Sequence, residues 1–266
     1  MKNKKSVALL RKIILITLLV ALLVLELSYR FLGEKILISE SHYLTLSRLI
    51  GGVACVFFML EFSFAEILKP WGNKSIKGIL AILPAFVIAV NNFPFVSFFS
   101  GDCTISAKPI EILSYALFCL SVGFFEEMAF RGCAFMFFLK KRTDTRAKIF
   151  VAVFLSSVIF GVVHLVNLFT SSPGAVFLQI GYSALIGALC TVVLLETKNI
   201  WLCVICHGVY NFCGGLKGEF GSGVMWTKPQ MIFTAVVAVA VAAYMIWLFF
   251  SMKLSKAKEL YQKNKR

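Results

Sequence analysis

The sequence predicts an all-α, polytopic integral membrane helix bundle with about eight transmembrane helices. Of its 266 residues, 59% are hydrophobic and the mean hydropathy is +0.87, whereas soluble domains are about 45–50% apolar. The apolar residues also form long runs, and a helix that crosses a bilayer needs about 20 of them. The segments between the runs are too short to fold as soluble domains. Any chemistry is therefore expected inside the membrane or at its surface.

Eight apolar runs supply the predicted helices. In order, they cover residues 11–32, 47–68, 79–99, 110–139, 149–170, 174–195, 199–215 and 230–252. The first run follows the basic start MKNKK but has no small-residue cleavage site, so it is predicted to be a retained helix. We expect three parts: helices 1–3 in residues 1–109, a core of helices 4–7 in residues 110–216, and the last helix with a basic tail in residues 217–266.

The charges between the runs predict the orientation. Alternate connecting segments hold 20 Lys and Arg on one side of the membrane and 5 on the other. The positive-inside rule therefore predicts that both termini are cytoplasmic. The net charge of +14 is interpreted as orientation and contact with anionic lipid headgroups, not as nucleic-acid binding. Short loops and basic ends favour a bacterial plasma membrane over an organelle membrane.

The fourth run contains three ionisable residues, Glu126, Glu127 and Arg131. Ionisable residues inside membrane spans usually face a bundle interior or a water-filled cavity and mark function. Glu127 and Arg131 are spaced i, i+4, so they share a helix face and can pair. Glu126 is rotated from Glu127 by about 100°. We therefore expect Glu126 to face a different group.

The fifth and seventh runs contribute histidines and amides. His164 follows Phe160 at i+4, and Asn211 follows His207 at i+4. At about 1.5 Å per residue, Glu126, His164 and Asn211 lie about 21, 24 and 18 Å from the cytoplasmic ends of their helices. His207 fits least well, at about 12 Å by the same measure. We predict that these four side chains face one shared cavity.

This set of groups meets the needs of peptide hydrolysis without a Ser or Cys nucleophile. A carboxylate beside an imidazole can polarise a water molecule, and a second imidazole with an amide can donate hydrogen bonds to an oxyanion. Two His and a Glu could instead hold zinc, but HExxH is missing and Asn211 is a poor ligand. We therefore predict no metal and no other cofactor. A proton-coupled transporter with Glu126 and His164 as a relay is a further alternative, although paired inverted repeats are not found.

At these residues the sequence resembles the CAAX protease and bacteriocin-processing family of intramembrane endopeptidases, also called the Abi family. The motifs of that family are EExxxR, FxxxH and HxxxN/D on separate helices. Here they read EEMAFR at residues 126–131, Phe160 to His164, and His207 to Asn211. The order and spacing match, and the resemblance covers about residues 110–216.

The resemblance implies the role of each catalytic residue. The family includes the Rce1-type prenyl-protein proteases, regarded as glutamate-dependent and metal-independent. By this resemblance Glu126, helped by His164, activates the water, and His207 and Asn211 form the oxyanion hole. It also implies that the site lies within a helix bundle.

The remaining motif residues are expected to support the site. Glu127 and Arg131 would hold it together, and Phe160 is expected to pack against the His164 ring. The implied reaction is hydrolysis of a peptide bond in a lipid-modified or membrane-associated substrate, such as a prenylated CAAX protein or a bacteriocin or pheromone precursor. A non-proteolytic membrane scaffold or a bacteriocin self-immunity factor is the alternative, and the sequence does not separate the two.

Overall fold

The computed structural model describes residues 40–69 and 76–260 as continuous segments. It also describes five helical residues of the first predicted run, namely Ile13, Ile16, Thr17, Val20 and Val24. The other residues of the first predicted helix lie outside the described part, as does the tail beyond residue 260.

Helices make up most of the described chain. They are α1 (Glu40–Glu61), α2 (Ile76–Asn91), α3 (Phe95–Phe99), α4 (Pro109–Glu127), α5 (Met136–Leu139), α6 (Arg146–Val162), α7 (Pro173–Thr197), α8 (Ile200–Phe220), α9 (Lys228–Ser251) and α10 (Ser255–Glu259). A π-helical segment, Met128–Phe135, joins α4 to α5, and 3-10 segments at Ala65–Leu68 and Val163–Phe169 follow α1 and α6.

Five helical stretches of the described chain are long and apolar enough to cross a membrane. They are His42–Glu61, Pro109–Leu139, Arg146–Phe169, Pro173–Thr197 and Lys228–Ser251. α8 is also 21 residues long, but His207, Asn211 and several glycines interrupt its apolar run. The structure is thus a bundle of membrane-crossing helices, while the predicted count of eight is not confirmed.

The third predicted run is broken rather than continuous. α2 ends at Asn91, and α3 starts after Pro94, because proline lacks an N–H and its ring clashes with a preceding helical turn. The side-chain amide of Asn92 donates to the carbonyl of Tyr210 at 2.9 Å. The break therefore joins the end of α2 to α8.

A small antiparallel ladder departs from the all-α prediction. Strands β1 (Cys103–Ile105) and β2 (Gly221–Gly223) pair with Cys103 opposite Gly223. Each strand has three residues, and the GSG sequence of β2 lacks the β-branched and aromatic residues that indicate a strand. Neither strand was therefore predicted.

Glycines let α4 and α8 approach each other closely. A Cβ atom on Gly123 would lie 2.8 Å from the carbonyl oxygen of Val204 and 3.0 Å from the nitrogen of Gly208. Small residues at membrane helix interfaces allow backbones to approach in this way. Glu127 follows Gly123 by about one turn, and His207 precedes Gly208, so this contact brings the acidic pair of α4 towards His207.

Polar contacts join three chain segments at one end of the bundle. Arg146 donates to the carbonyls of Phe249 at 2.5 Å and Met252 at 2.9 Å. Lys198, after α7, pairs with Glu259 of α10. Three of the basic segments assigned to one side of the membrane therefore lie together.

Candidate active site

The π-helical segment starts directly after the two glutamates. Glu127 is the last residue of α4 and Arg131 lies in the π-helical segment. Their side chains pair at 2.9 Å between Arg131 Nη1 and Glu127 Oε1, and both are fully buried. The predicted i, i+4 pair is therefore present. Short π-helical insertions occur frequently at functional sites.

His207 lies between the two neighbouring carboxylates. Its Nδ1 is 2.7 Å from Glu127 Oε1, and its Nε2 is 3.4 Å from Glu126 Oε2. These contacts were not predicted, because the sequence placed His207 with Asn211 and estimated it to be too shallow. The sequence signal for these contacts is the pair of glycines, Gly123 and Gly208, at which α4 and α8 cross closely.

The partners of His207 determine which ring nitrogen carries a proton. Glu127 is paired with Arg131, and an ionised carboxylate can only accept hydrogen bonds. With Glu127 in that state, His207 Nδ1 is the donor of their hydrogen bond. His207 Nε2 lies 3.4 Å from Glu126 Oε2, and an imidazolium at His207 would balance the two acids with two cations.

Phe160 is the packing centre of the site. Its ring is 2% exposed and lies edge-to-face with His164 at 5.3 Å and with His207 at 5.7 Å between centroids. The Arg131 guanidinium lies 4.4 Å from the centre of the same ring, a cation–π contact. The predicted contact with His164 is present, and the contacts with His207 and Arg131 are additional.

Gly187 of α7 leaves the space for this packing. A Cβ atom there would lie 2.8 Å from Arg131 Nη2 and 3.1 Å from Phe160 Cδ1. Any larger residue would displace the guanidinium or the ring. Thus α4, α6 and α7 meet around one buried cation.

His164 lies in the 3-10 segment and not in a regular α-helix. Its Nδ1 is 2.9 Å from the carbonyl oxygen of Phe160. A carbonyl can only accept, so Nδ1 carries the proton and Nε2 keeps a lone pair. Asn167 donates to Gln179 of α7 at 2.8 Å, which holds the 3-10 segment against α7. His164 is thus presented as a base or hydrogen-bond acceptor.

A large cavity of about 1760 Å³ collects the predicted catalytic side chains. Glu126, His164, His207 and Asn211 all line it. Within the described chain, the side chains of Glu126 and His164 make no direct hydrogen bond to each other, and Asn211 is half-buried in the wall. Glu127, although adjacent to Glu126, is fully buried behind the cavity.

The lining of the cavity differs between its two ends. Around the glutamate it carries polar groups, including the amides of Asn167 and Gln179. Towards the end of the bundle where α6 begins, the wall is apolar and includes Phe150, Met245 and Phe249. The cavity therefore has a polar region and an apolar region.

The described residues hold no group of three or more His, Cys, Asp or Glu side chains arranged to bind a metal ion. His207 already uses Nδ1 on Glu127, and His164 uses Nδ1 on a carbonyl. Only one nitrogen of each ring therefore faces the cavity.

Comparison with known protein families gives one match to this part of the chain. Residues 108–213 match the family model described as type II CAAX prenyl endopeptidase Rce1-like. No curated protein and no solved structure matches the chain. The matched segment starts just before α4, ends within α8 and includes every motif residue described above. Residues 108–213 are therefore similar to the Rce1-like type II CAAX prenyl endopeptidases.

Proposed function

We propose that this protein is an intramembrane glutamate endopeptidase that hydrolyses a peptide bond in a lipid-modified or membrane-associated peptide or protein. One observation carries the proposal: two adjacent glutamates have opposite environments. The Glu126 side chain is 21% exposed to the cavity, while the Glu127 side chain is fully buried against Arg131. One carboxylate is thus accessible to water and substrate, and the other is committed to an ion pair.

In the proposed mechanism, Glu126 is the general base. A water molecule between Glu126 and the Nε2 lone pair of His164 transfers one proton to the carboxylate and attacks the scissile carbonyl carbon. The carbonyl π electrons move to oxygen and produce a tetrahedral oxyanion. Protonated Glu126 then gives its proton to the leaving amine nitrogen as the carbon–nitrogen bond breaks.

The oxyanion needs donors that are already in position. His207 Nε2–H and the Asn211 side-chain amide are assigned this role, which requires His207 to be an imidazolium. The buried Glu127 supports that state because it accepts from His207 Nδ1 at 2.7 Å. Arg131 in turn balances the charge of Glu127. No metal ion takes part in this proposal.

The apolar end of the cavity supports a substrate with a hydrocarbon chain. Phe150, Met245 and Phe249 line this end, and polar side chains of the substrate would lose their hydration there. A prenylated CAAX protein or a lipid-anchored peptide precursor would place its chain here and its peptide beside Glu126. The same cavity accepts an unmodified membrane-inserted peptide with apolar side chains.

We assign the protein to the plasma membrane of a bacterium with both termini in the cytoplasm. The excess of Lys and Arg in alternate connecting segments supports this orientation. The cluster formed by Arg146, Lys198 and α10 would then lie at the cytoplasmic surface. Labelling of a Thr143→Cys variant in intact cells tests this orientation. A reaction of this cysteine with an impermeant reagent added outside the cells would contradict the assignment.

Purified protein and a library of lipidated membrane peptides test the proposed reaction. Wild type should cleave these peptides. The cleavage rate of Glu126→Gln should be about 10²–10⁴-fold lower because the base is removed. The melting temperature of this variant in detergent should be unchanged. Glu66→Gln is the matched control: its carboxylate pairs with Lys69 at a surface turn and the variant should cleave at the wild-type rate.

The same assay separates the alternatives. Loss of cleavage with a chelator and recovery with zinc would contradict the metal-independent mechanism. Full cleavage by Glu126→Gln would exclude Glu126 as the base. If Glu126→Gln retains the full biological activity in cells, a membrane scaffold or self-immunity role is favoured instead.

Neighbouring alanines of α9 test the use of the apolar end. Ala242 lines the cavity, and Ala243 is exposed on a different face of the same helix. Ala242→Trp should raise KM for a lipidated peptide by about tenfold, about 1.4 kcal/mol, and affect a short unlipidated peptide less. Ala243→Trp should behave as wild type. Equal effects of both variants would contradict a hydrocarbon site at this end.

A further inference from the structure

Tyr182 of α7 faces the cavity although it belongs to none of the three sequence motifs. It lines the same cavity as Glu126 and His164, and it is 40% exposed. Within the described part of the chain its hydroxyl has no hydrogen-bond partner, and its one ring contact is with Tyr210 at 6.3 Å between centroids. The hydroxyl is therefore available to a bound molecule.

The packing of α7 against the motif helix places Tyr182 at the level of Glu126. Two short connections separate α4 from α6 and α6 from α7, so α4 and α7 cross the bundle in the same direction. Gly187 lies against Arg131. Tyr182 precedes Gly187 by five residues, and Glu126 precedes Arg131 by five residues. Because the two helices run in the same direction, Tyr182 and Glu126 lie at a similar depth in the bundle. Both Tyr182 and Glu126 line the cavity.

The neighbouring wall of the cavity carries the proposed oxyanion donors. Tyr210, the ring partner of Tyr182, lies between His207 and Asn211 on α8. Through this ring contact, Tyr182 of α7 lies beside the stretch of α8 that carries the two donors. A phenol hydroxyl is one of the side-chain donors that can stabilise an oxyanion.

We propose that Tyr182 is a further catalytic residue, whose phenol O–H donates a hydrogen bond to the oxygen of the scissile carbonyl as it becomes an oxyanion. The inference rests on the proposed endopeptidase function. In this arrangement α7 supplies one donor and α8 supplies two. A phenol is protonated at neutral pH, so its O–H can donate this hydrogen bond.

Two tyrosine variants test this role. Tyr182→Phe removes only the hydroxyl, and kcat for a lipidated peptide should fall by about 10²–10³, as for other single oxyanion donors, with KM nearly unchanged. Tyr210→Phe is the matched control, because Tyr210 lines the same cavity and its ring contacts Tyr182, while no role is assigned to its hydroxyl. It should keep kcat within about threefold of wild type, a change below 1 kcal/mol.

The outcomes separate this inference from the function on which it rests. If wild type cleaves, Glu126→Gln does not, and Tyr182→Phe cleaves at the full rate, the tyrosine role is wrong and the endopeptidase stands. A rise in KM alone for Tyr182→Phe also overturns the role, because it indicates ground-state binding. If wild type cleaves no member of the peptide library, both proposals fail. Melting in detergent should be unchanged for both tyrosine variants.

Discussion

Among the described residues, a deep and an end cluster of charged side chains each join helices, and the two clusters differ in their contact with water. In the deep cluster, Glu127 and Arg131 have fully buried side chains and the His207 side chain is 5% exposed. In the end cluster, the Lys198 and Glu259 side chains are 25% and 37% exposed. A charge in the end cluster can be solvated again when its partner is removed, so such pairs contribute little. A charge in the deep cluster cannot, so each of its members depends on the others.

Removal of one partner from the deep cluster should have the largest effect. Glu127→Gln leaves Arg131 as a buried, uncompensated cation, and the loss of one partner of a buried pair destabilises by about 3–5 kcal/mol. The variant should show a lower melting temperature and a lower yield, and it should also lose activity because His207 loses its anionic partner. Thermal unfolding in detergent and peptide cleavage measure the two effects.

A double variant sharpens this test. Arg131→Met combined with Glu127→Gln removes both charges and keeps an apolar side chain against Phe160. Replacement of a whole buried pair by apolar groups is often neutral, so the stability should recover while cleavage stays absent. Wild-type stability of the single variant Glu127→Gln would show that the deep cluster behaves like the end cluster.

The deep cluster also depends on the close approach of α4 to α8. Gly123→Ala would place a Cβ atom 2.8 Å from a backbone oxygen of α8, and overpacking of this kind costs about 1–3 kcal/mol. The helices should separate and the distance between Glu126 and His207 should increase, which lowers both the melting temperature and the cleavage rate.

Gly181→Ala provides the control for this substitution. It is also a helical glycine, and a Cβ atom there meets nothing within 4 Å. The variant should be neutral or slightly stabilising, because alanine is about 1 kcal/mol more favourable in helices. Equal destabilisation by both alanines would mean that the crossing at Gly123 does not determine the geometry of the site.

The sequence could predict the pairs within one helix but not the contacts between helices. The spacing of Glu127 and Arg131 follows from 3.6 residues per turn, and the pair is present. The contact of His207 with both glutamates depends on where α4 crosses α8, and a depth count along straight, untilted helices placed His207 too shallow. The 3-10 segment that carries His164 was likewise hidden within an apolar run that reads as a regular helix.

The ends and breaks of the helices were equally difficult to predict. Pro94 lies inside the third predicted run, but the hydrogen bond that joins Asn92 at the break to α8 cannot be read from the sequence. The strands β1 and β2 exist because their backbones meet at one end of the bundle, and three residues are too few for a pattern. The first predicted helix lies mainly outside the described residues.

The smallest effect is expected in the end cluster, where pH provides the test. The hydrogen bond from Lys198 holds the pKa of Glu259 below its ordinary value of 4.5, so the folded state binds a proton at this position less readily than the unfolded state. The stabilisation is therefore complete above about pH 4.5 and is lost as the pH falls through the lower pKa of the folded state. Glu259→Gln should destabilise by about 0.2–1 kcal/mol at pH 7. The difference in melting temperature between Glu259→Gln and wild type should then become smaller as the pH falls below 4.5.

Asp144→Asn is the matched control for this last comparison. The pKa of Asp144 is also lowered, first by its hydrogen bond to Lys148, but this pair is local to the start of α6 and does not join two distant segments. Its removal should change melting less than that of Glu259→Gln at pH 7, because both side chains are more than half exposed and exposed pairs contribute little. A loss of stability for Glu259→Gln as large as that for Glu127→Gln would overturn the distinction between the two clusters. It would mean that the Lys198–Glu259 pair holds α10 as firmly as the deep cluster is held, although both side chains of this pair remain in contact with water.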